Sequence, residues 1–387
     1  MYVPSARHGT HLPEPVMTAG LWIIAFAIGL AAWGAMSTRS IRTDDSYLTR
    51  DAPSLVPLDP SSFNAIAYTT RGDFADHVWL RPLESDAKPT MVATIPHIYS
   101  AGVLANADVD GAVSPRGDAI ALLSVTDSAD ARSYAELSIL SLTTGNLRTG
   151  FGPFDSLSPL AWSPDGQRLA LVRSEPPDES GRKASSIVEV DLVTGTSTVV
   201  AHFPGVFEAA PVGYSVNADR LYIVTVDNGG STLFEEAAGE LTPNGSLSGG
   251  RTRDWTLNAD ATRLAYVEAL SASERSYAGR MFHIGVGEQS QVTRIEGMQL
   301  GAAWRPGSPL PDFGSLDGEV WQLDPPPESP VFVWPLAWSP DGSTLITSIH
   351  NVEDGRVAPQ GALELVVSNE RVLLEDGARF LGFVRGE

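Results

Sequence analysis

The sequence of 387 residues contains no cysteine, which excludes disulfides, thiolate nucleophiles, zinc–cysteine sites and a lipidated cysteine anchor. Lysine is nearly absent as well, with only Lys88 and Lys183 among 26 basic residues. Because 47 residues are acidic, the formal net charge is −21. Phosphate binding requires a basic surface, so no nucleic-acid partner is expected.

Charge is also missing from one long hydrophobic run near the N-terminus. Residues 17–36 contain no charged side chain, and about 20 apolar residues span a bilayer as a helix. Trp22 and Trp33 would lie near its two interfaces. We expect an uncleaved membrane anchor here. A cleaved signal peptide is the alternative, because the small residues Ala35 and Ser37 fit a peptidase site.

The rest of the chain divides around this run. We expect an N-terminal tail at residues 1–16, a flexible linker rich in Asp, Ser and Pro at 37–62, and one folded domain at 63–387. Because long domains are translocated largely regardless of nearby charge, we expect the folded domain outside the cytoplasm.

Helical periodicity is absent from residue 63 onward, where short apolar runs alternate with turn signals as in an all-β domain. Residues 160–173, LAWSPDGQRLALVR, return as LAWSPDGSTLITSI at 336–349. Each copy reads as strand, turn and strand, with proline and aspartate at the centre of the turn. Such a pair cannot bury both faces alone, so its repetition predicts stacked neighbours.

Six strand–turn–strand units alternate with seven hairpins, and one last strand, residues 379–385, is left over. If that strand joins the first hairpin, seven four-stranded blades form a closed β-propeller without open sheet edges. Five turn-to-turn intervals run from 34 to 52 residues, most of them near the roughly 40–50 of a four-stranded blade. Six blades is the alternative, if residues 301–333 fail to form a full sheet.

The repeated segment resembles the WD-like propeller repeat of the TolB family. The matching residues are Trp162, Ser163, Pro164, Asp165 and Gly166 in one copy and Trp338, Ser339, Pro340, Asp341 and Gly342 in the other. The resemblance implies a periplasmic or cell-surface binding scaffold without catalytic residues of its own. TolB-like domains usually have six blades beside a second domain, whereas here a membrane anchor precedes the propeller.

Two residue types within the repeats have a structural and a functional interpretation. Trp162, Trp304 and Trp338 precede blade turns, and Trp255 has a related place. They are expected to pack between blades rather than to form a carbohydrate or peptide platform. Asp165 and Asp341 recur at one turn position, which favours a role in the turn over catalysis.

Metal-binding patterns are incomplete. Asn106, Asp108 and Asp110 match the beginning of a calcium loop, but position twelve is Gly117 rather than the required acid. The histidines have no metal-ligand spacing, and no phosphate-binding glycine loop or nucleophile elbow is present. We therefore expect no cofactor and no metal at these positions.

Binding is expected where the connections vary most, which is after the second strand of each blade. Arginine is over-represented at energetically important interface positions, so the candidates there are Arg132, Arg182, Arg275 and Arg356. The favoured function is a non-catalytic, membrane-tethered scaffold that binds a protein or peptide partner in the cell envelope. The alternative is a propeller enzyme, a hydrolase or lyase, or a small-ligand sensor that uses the channel mouth.

Overall fold

The computed structural model of the protein describes twelve stretches of the chain. They are residues 63–84, 87–100, 103–105, 107–127, 133–155, 159–271, 276–292, 300–316, 331–353, 356–358, 361–367 and 370–385. The expected tail, anchor and linker at 1–62 lie outside these residues. Within them, no helix has the length and apolar character needed to cross a bilayer.

All the regular elements of the described residues are β-strands, thirty in number. The first nine are β1 (Phe63–Arg71), β2 (Ala75–Pro82), β3 (Thr90–Pro96), β4 (Ile98–Ser100), β5 (Val103–Ala105), β6 (Ala107–Val113), β7 (Ala119–Asp127), β8 (Ser133–Ser141) and β9 (Leu147–Phe154). The next twelve are β10 (Ala161–Trp162), β11 (Arg168–Ser174), β12 (Lys183–Asp191), β13 (Ser197–Val206), β14 (Glu208–Tyr214), β15 (Leu221–Asp227), β16 (Gly230–Ala237), β17 (Glu240–Ser248), β18 (Thr252–Leu257), β19 (Arg263–Ser271), β20 (Ser276–His283) and β21 (Glu288–Gln291). The last nine are β22 (Ala302–Ala303), β23 (Asp312–Phe313), β24 (Ser315–Leu316), β25 (Val331–Trp338), β26 (Thr344–Glu353), β27 (Arg356–Val357), β28 (Ala362–Val367), β29 (Glu370–Asp376) and β30 (Arg379–Arg385).

Twenty-four of these strands build six antiparallel, four-stranded blades around a ring, and the short strands β24 and β27 add to the sheet of the sixth blade. From the inner to the outer strand, the blades are β30-β1-β2-β3, β6-β7-β8-β9, β10-β11-β12-β13, β14-β15-β16-β17, β18-β19-β20-β21 and β25-β26-β28-β29. The second strand of a blade is the most continuously apolar, as in β15, where six consecutive residues are buried. Such a strand is covered on both faces, because its sheet packs between two neighbouring blades.

The hydrophobic core is divided into layers between blades. Leu123 of the second blade packs in one cluster with Leu171 of the third. Val224 of the fourth blade shares another with Tyr266 of the fifth. Because both faces of each blade are buried in this way, no blade is stable without its neighbours.

The C-terminal strand closes the ring, as predicted. β30 pairs with β1 in antiparallel register, with Ala65 opposite Val384 and Ala67 opposite Gly382. Phe383 is then buried with Tyr68 of the first blade and Ile346 of the sixth. The prediction that residues 379–385 complete the first sheet is confirmed.

The prediction of seven full blades is wrong, and the six-bladed alternative is confirmed. Between the fifth and sixth blades, the described residues of 301–316 form a ribbon of two short strands, β22 and β23, and a third short strand, β24, that pairs with β25 of the sixth blade. Phe313 of this ribbon packs against Val267 of the fifth blade. The turn signal at Trp304-Arg305-Pro306-Gly307 is present, yet a turn specifies only the bend and not four strands around it.

Each repeated turn is closed by its own side chains. Ser163 Oγ donates to Asp165 Oδ1 at 2.5 Å, and Asp165 Oδ1 also accepts the Gln167 N–H at 3.0 Å. Ser339 and Asp341 repeat the first contact at 2.5 Å. That hydrogen bond lowers the pKa of the Asp341 carboxyl from its ordinary value. These aspartates therefore stabilise turns.

Arginines join the turns of neighbouring blades on this side of the ring. Arg168 Nη2 donates to the carbonyl of Ala218 at 2.5 Å, and Arg263 Nη1 to that of Pro309 at 2.8 Å. Arg305 Nε donates to the carbonyl of Gly342 at 3.1 Å. We call this side the short-turn rim; its turns span residues 114–118, 163–167, 215–219, 258–262 and 339–343.

Candidate functional site

The opposite side of the ring, the long-loop rim, carries the connections from second to third strands and from one blade to the next. Among the connections that the structure describes are residues 72–74 and 175–182. The rim carries a cavity where the first, second and sixth blades meet, because the ends of β1 and β26 and the beginnings of β2, β6 and β30 lie together there.

The cavity has a volume of about 240 Å³, and its walls are about equally polar and apolar. Its lining combines charged side chains with small residues: Thr69, Thr70, Arg71, Asp76, Asp108, Val109, Ser348, His350, Gly361, Gly377, Ala378 and Arg379. A concave, preformed space with a few convergent polar groups is the usual form of a ligand site.

Two guanidinium groups meet one carboxylate at the cavity. Arg71 Nη1 donates to Asp108 Oδ1 at 2.5 Å. Arg379 Nη1 donates to the backbone carbonyl of Asp108 at 3.2 Å, and its Nη2 lies 3.9 Å from Asp108 Oδ1. The side chains of Arg71 and Arg379 remain 58% and 49% exposed. Within this trio the charge is positive by one unit, and the Asp76 carboxylate, which also lines the cavity, brings its charged side chains to a sum of zero.

The floor of the cavity is held by buried hydrogen bonds. Asp76 Oδ2 accepts the Val109 N–H at 2.8 Å, and Asp76 Oδ1 lies 3.0 Å from His97 Nε2. Thr69 Oγ1 donates to the carbonyl of Val109 at 3.0 Å. Asp76 and His97 are almost fully buried, at 3% and 1% side-chain exposure. These bonds fix the beginning of β6 against the first blade.

A serine and a histidine form one wall. Ser348 Oγ lies 2.9 Å from His350 Nε2, and His350 Nδ1 lies 2.9 Å from the carbonyl oxygen of Ala358. Because a carbonyl only accepts, the Nδ1–H of His350 must donate to it. In the neutral ring Nε2 then accepts from the serine hydroxyl. A Cβ atom on Gly361 would lie 2.6 Å from both Ser348 Oγ and His350 Nε2, so only glycine fits here.

A second polar group lies on the same rim between the third and fourth blades. Lys183 Nζ lies 2.9 Å from Asp155 Oδ2, which also accepts from Ser174 Oγ at 2.6 Å. Desolvation raises the pKa of Glu208 at the beginning of β14, and the positive charges of Lys183 and Arg253 lower it in part.

Of the four arginines predicted from the loops, the structure describes the side chain of one. Arg182 lies in the connection between β11 and β12, where its Nε donates to Ser180 Oγ at 2.8 Å and its Nη2 lies 3.7 Å from Asp178 Oδ2. The backbone of Arg356 lies in β27, opposite Glu353. Arg132 and Arg275 lie outside the described residues.

The two described aspartates of the incomplete calcium pattern have different partners. Asp108 is paired with Arg71, whereas Asp110 Oδ1 accepts the Gly111 N–H at 2.7 Å. Asn106 lies outside the described residues. Among the residues that the structure describes, no three histidine, aspartate or glutamate side chains lie close enough to hold a metal ion.

The tryptophans of the repeats lie between blades. Trp304 Nε1 donates to the carbonyl of Thr256 at 3.0 Å, and Trp338 Nε1 donates to Asp312 Oδ2 at 2.7 Å. In both cases the partner belongs to the preceding unit of the ring. Trp255 differs, because its Nε1 donates to Thr252 Oγ1 in its own strand at 2.8 Å.

Sequence reasoning missed Arg71, Arg379 and Ser348 as cavity residues. The predicted ring closure contained the necessary signal for one of them, since the pairing of the last strand with the first places Arg379 opposite Thr69. Nothing local in the sequence distinguishes Arg71 or Ser348.

The sequence matches no protein-family model and no curated protein. Solved structures are similar in fold at low identity. TolB from Acinetobacter baumannii has a TM-score of 0.49 at 15% identity, covering 85% of this chain and 69% of that protein. An acylaminoacyl peptidase from Pyrococcus horikoshii has a TM-score of 0.51 at 14% identity, covering 83% of this chain. The alignment spans 54% of the peptidase, about half its length.

The chain is a six-bladed β-propeller with distant structural similarity to TolB-like propellers. A putative TolB from Agrobacterium tumefaciens has a TM-score of 0.45 at 14% identity, covering 76% of this chain and 94% of that one. At such identities the likeness is one of fold. Because an enzyme is among these similar structures, the propeller fold by itself does not assign a function.

Proposed function

We propose that the protein is a membrane-anchored, non-catalytic β-propeller scaffold that binds a protein or peptide partner in the cell envelope through its long-loop rim. The observation that carries the proposal is the difference between the two rims. On the short-turn rim, Arg168 and Arg305 are bonded to carbonyls of the next turn, and the half-exposed Arg220 is the exception without a second arginine beside it. On the long-loop rim, Arg71 and Arg379 stand half exposed at a cavity.

An exposed aromatic residue beside the cavity supports binding through the long-loop rim. Phe74 lies in the turn between β1 and β2 and is 80% exposed. Its backbone carbonyl accepts the His97 N–H at 2.8 Å, so the turn itself is held in place. Aromatic and arginine side chains are the residues that contribute most to protein interfaces.

Photocrosslinking in intact cells tests this proposal on the full chain. A benzophenone amino acid at position 74 is compared with the same residue at Val216, which is 52% exposed on the short-turn rim. We expect a discrete protein adduct from position 74 and none from position 216. A third crosslinker, at Arg182, samples a second place on the long-loop rim. Equal adducts at positions 74 and 216, or no adduct at either 74 or 182, would contradict binding through this rim. Protease accessibility in intact cells tests the expected location of the propeller outside the cytoplasm.

The second candidate function is that of a propeller hydrolase, and the pair Ser348 and His350 favours it. An imidazole oriented by the Ala358 carbonyl, with Nε2 2.9 Å from a serine hydroxyl, has the arrangement of a base beside a nucleophile. Incubation of the full chain with a fluorophosphonate probe tests it. Covalent labelling that is lost in Ser348→Ala supports a hydrolase, and absence of labelling argues against it.

A further inference from the structure

We propose that the cavity between the first, second and sixth blades is a carboxylate-binding site, in which Asp108 now occupies the place of the ligand's carboxylate. The natural source of that group is a peptide C-terminus of the partner, and this part rests on the proposed function. The proposal follows from the juxtaposition of Arg71, Arg379 and Asp108 in a space of about 240 Å³.

The two guanidinium groups have donors to spare. Each offers five N–H groups. Hydrogen bonds to other described residues engage Nη1 of Arg71 and Nη1 of Arg379. Guanidinium groups bind carboxylates through two parallel hydrogen bonds, which are about twice as strong as bonds between neutral groups. The remaining donors suffice for a second carboxylate or for one that displaces Asp108.

These arginines differ from another exposed arginine of the propeller. Arg220 is 50% exposed and lies 3.6 Å from a single carboxylate, that of Glu235. It is not among the residues that line the cavity. Two cations therefore converge on one carboxylate where β30 closes the ring, and exposure of an arginine alone does not produce this arrangement.

The floor of the cavity favours the end of a chain. Thr69, Asp76 and Val109 are buried and joined by hydrogen bonds of 2.8–3.0 Å, so we expect a peptide that enters from the rim to end against them. A Cβ atom on Gly377, another lining residue, would meet no atom within 4 Å, so the cavity leaves space for a main chain beside it. Capture of a C-terminal carboxylate is a recurring mode of peptide recognition.

The backbone explains how Asp108 reaches the arginines. Asp108 has a φ of +51°, in the left-handed region, and the pairing of β6 with β7 is irregular between Ala107 and Asp110. Asparagine adopts this region readily. Asp108→Asn is consequently a conservative change that removes the internal carboxylate while keeping the local conformation.

Saturation-transfer NMR titrations of the full chain in detergent test the proposal with three probes. The probes are N-acetyl-Ala-Ala with a free carboxylate, the same dipeptide as its C-terminal amide, and N-acetyl-glutamic acid amide. We expect the free acid to bind and the dipeptide amide to bind at least tenfold more weakly. Binding of the glutamic acid amide as tight as that of the free dipeptide would assign the source to an acidic side chain instead of a chain end.

The variants separate this site from a structural role. Arg71→Gln and Arg379→Gln should each weaken binding of the free acid by about tenfold or more, and Arg220→Gln should leave it unchanged. Asp108→Asn should tighten binding severalfold, because the competing carboxylate is gone. A structural role for Asp108 predicts the opposite.

Equal affinity for acid and amide overturns the proposal, as does weaker binding by Asp108→Asn. So does the absence of binding at about 10 mM probe in both the wild-type chain and Asp108→Asn. Each variant is compared with wild type by circular dichroism and thermal midpoint. If crosslinking from position 74 persists while the carboxylate probes fail, the carboxylate site is wrong and the proposed partner-binding function stands.

Discussion

The indole N–H of Trp162 donates a hydrogen bond of 3.1 Å to the backbone carbonyl of Ala112, 50 residues earlier and one blade away. The ring is 9% exposed and packs in the cluster shared by the second and third blades. Trp304 makes the equivalent bond to the Thr256 carbonyl, and Trp338 donates to the Asp312 carboxylate; both partners belong to the preceding unit of the ring. The repeated tryptophan thus contributes to interblade contact in two ways, by apolar burial and by a directional bond.

Two substitutions at Trp162 separate these contributions. Trp162→Ala removes both and should lower the free energy of unfolding by about 3–5 kcal/mol. Trp162→Phe keeps an aromatic ring but leaves the Ala112 carbonyl without its donor, and it should cost about 1–3 kcal/mol. Thermal midpoints measure both changes. Equal losses in the two variants would show that burial contributes little and the hydrogen bond most of the effect.

The turns offer a stabilising substitution. Gly117, Gly166 and Gly342 have φ near +70° at one turn position, where Ala218 has φ +58° in the fourth blade. A left-handed conformation costs about 1–2 kcal/mol for a residue with Cβ. After allowance for the greater entropy of unfolded glycine, Ala218→Gly should raise stability by about 0.5–1 kcal/mol.

The reciprocal change is the matched control for this prediction. After the same allowance, Gly166→Ala should destabilise by about 0.5–1 kcal/mol. Thermal unfolding of both variants under one set of conditions decides the matter, since a loss of stability in Ala218→Gly would mean that the Ala218 methyl group contributes more by packing than its conformation costs.

Closure of the ring depends on Phe383. Its side chain is buried with Tyr68 and Ile346 where the last strand joins the first blade, so Phe383→Ala should cost about 3–5 kcal/mol. Leu373→Ala, at an outer-strand position that is 59% exposed, should change stability by less than about 0.5 kcal/mol. Chemical denaturation of the two variants gives the comparison, and a Phe383→Ala variant as stable as Leu373→Ala would contradict the role of this junction.

Acid should weaken the turn at Asp341. Its pKa is lowered below the ordinary 3.8 by the hydrogen bond from Ser339, so the folded state favours the carboxylate more than the unfolded state does. The stability from this difference is present above the ordinary pKa and is lost as the pH falls through the lower, folded value.

Asp341→Asn lacks this contribution at every pH. The difference in thermal midpoint between wild type and Asp341→Asn should therefore be largest near neutral pH and should shrink as the pH falls below about 4. In a Ser339→Ala background the same comparison should give a smaller difference. A gap that is constant with pH would contradict this account.

The turns could be predicted because their signals are short-range. The ring closure could be predicted because the strands could be counted. Ser163, Pro164, Asp165 and Gly166 determine their turn through contacts within five residues. Closure followed from counting strands, since an unpaired last strand and an incomplete first sheet complement each other. The blade number failed because the turn at Trp304 is preserved while the strands beside it, β22 and β23, are only two residues long.

The cavity could not be predicted from local patterns. Arg71 and Arg379 lie near opposite ends of the domain's sequence. Both meet Asp108, whose only signal in the sequence is its spacing to Asn106 and Asp110. Their convergence depends on the exact register of β30 against β1 and on the irregular pairing of β6. Such contacts between distant parts of a chain leave no periodic trace in the sequence.

The pairing of β30 with β1 also has a consequence for biosynthesis. A ribosome adds about 5–20 residues per second, so at least about 15 s pass between synthesis of the first strand and synthesis of its last partner. Until then the inner edge of β1 presents unpaired backbone groups that can join other chains. Nascent chains of this protein are therefore expected to need a holding chaperone until β30 has been synthesised, and a chain truncated before Arg379 should be prone to aggregation.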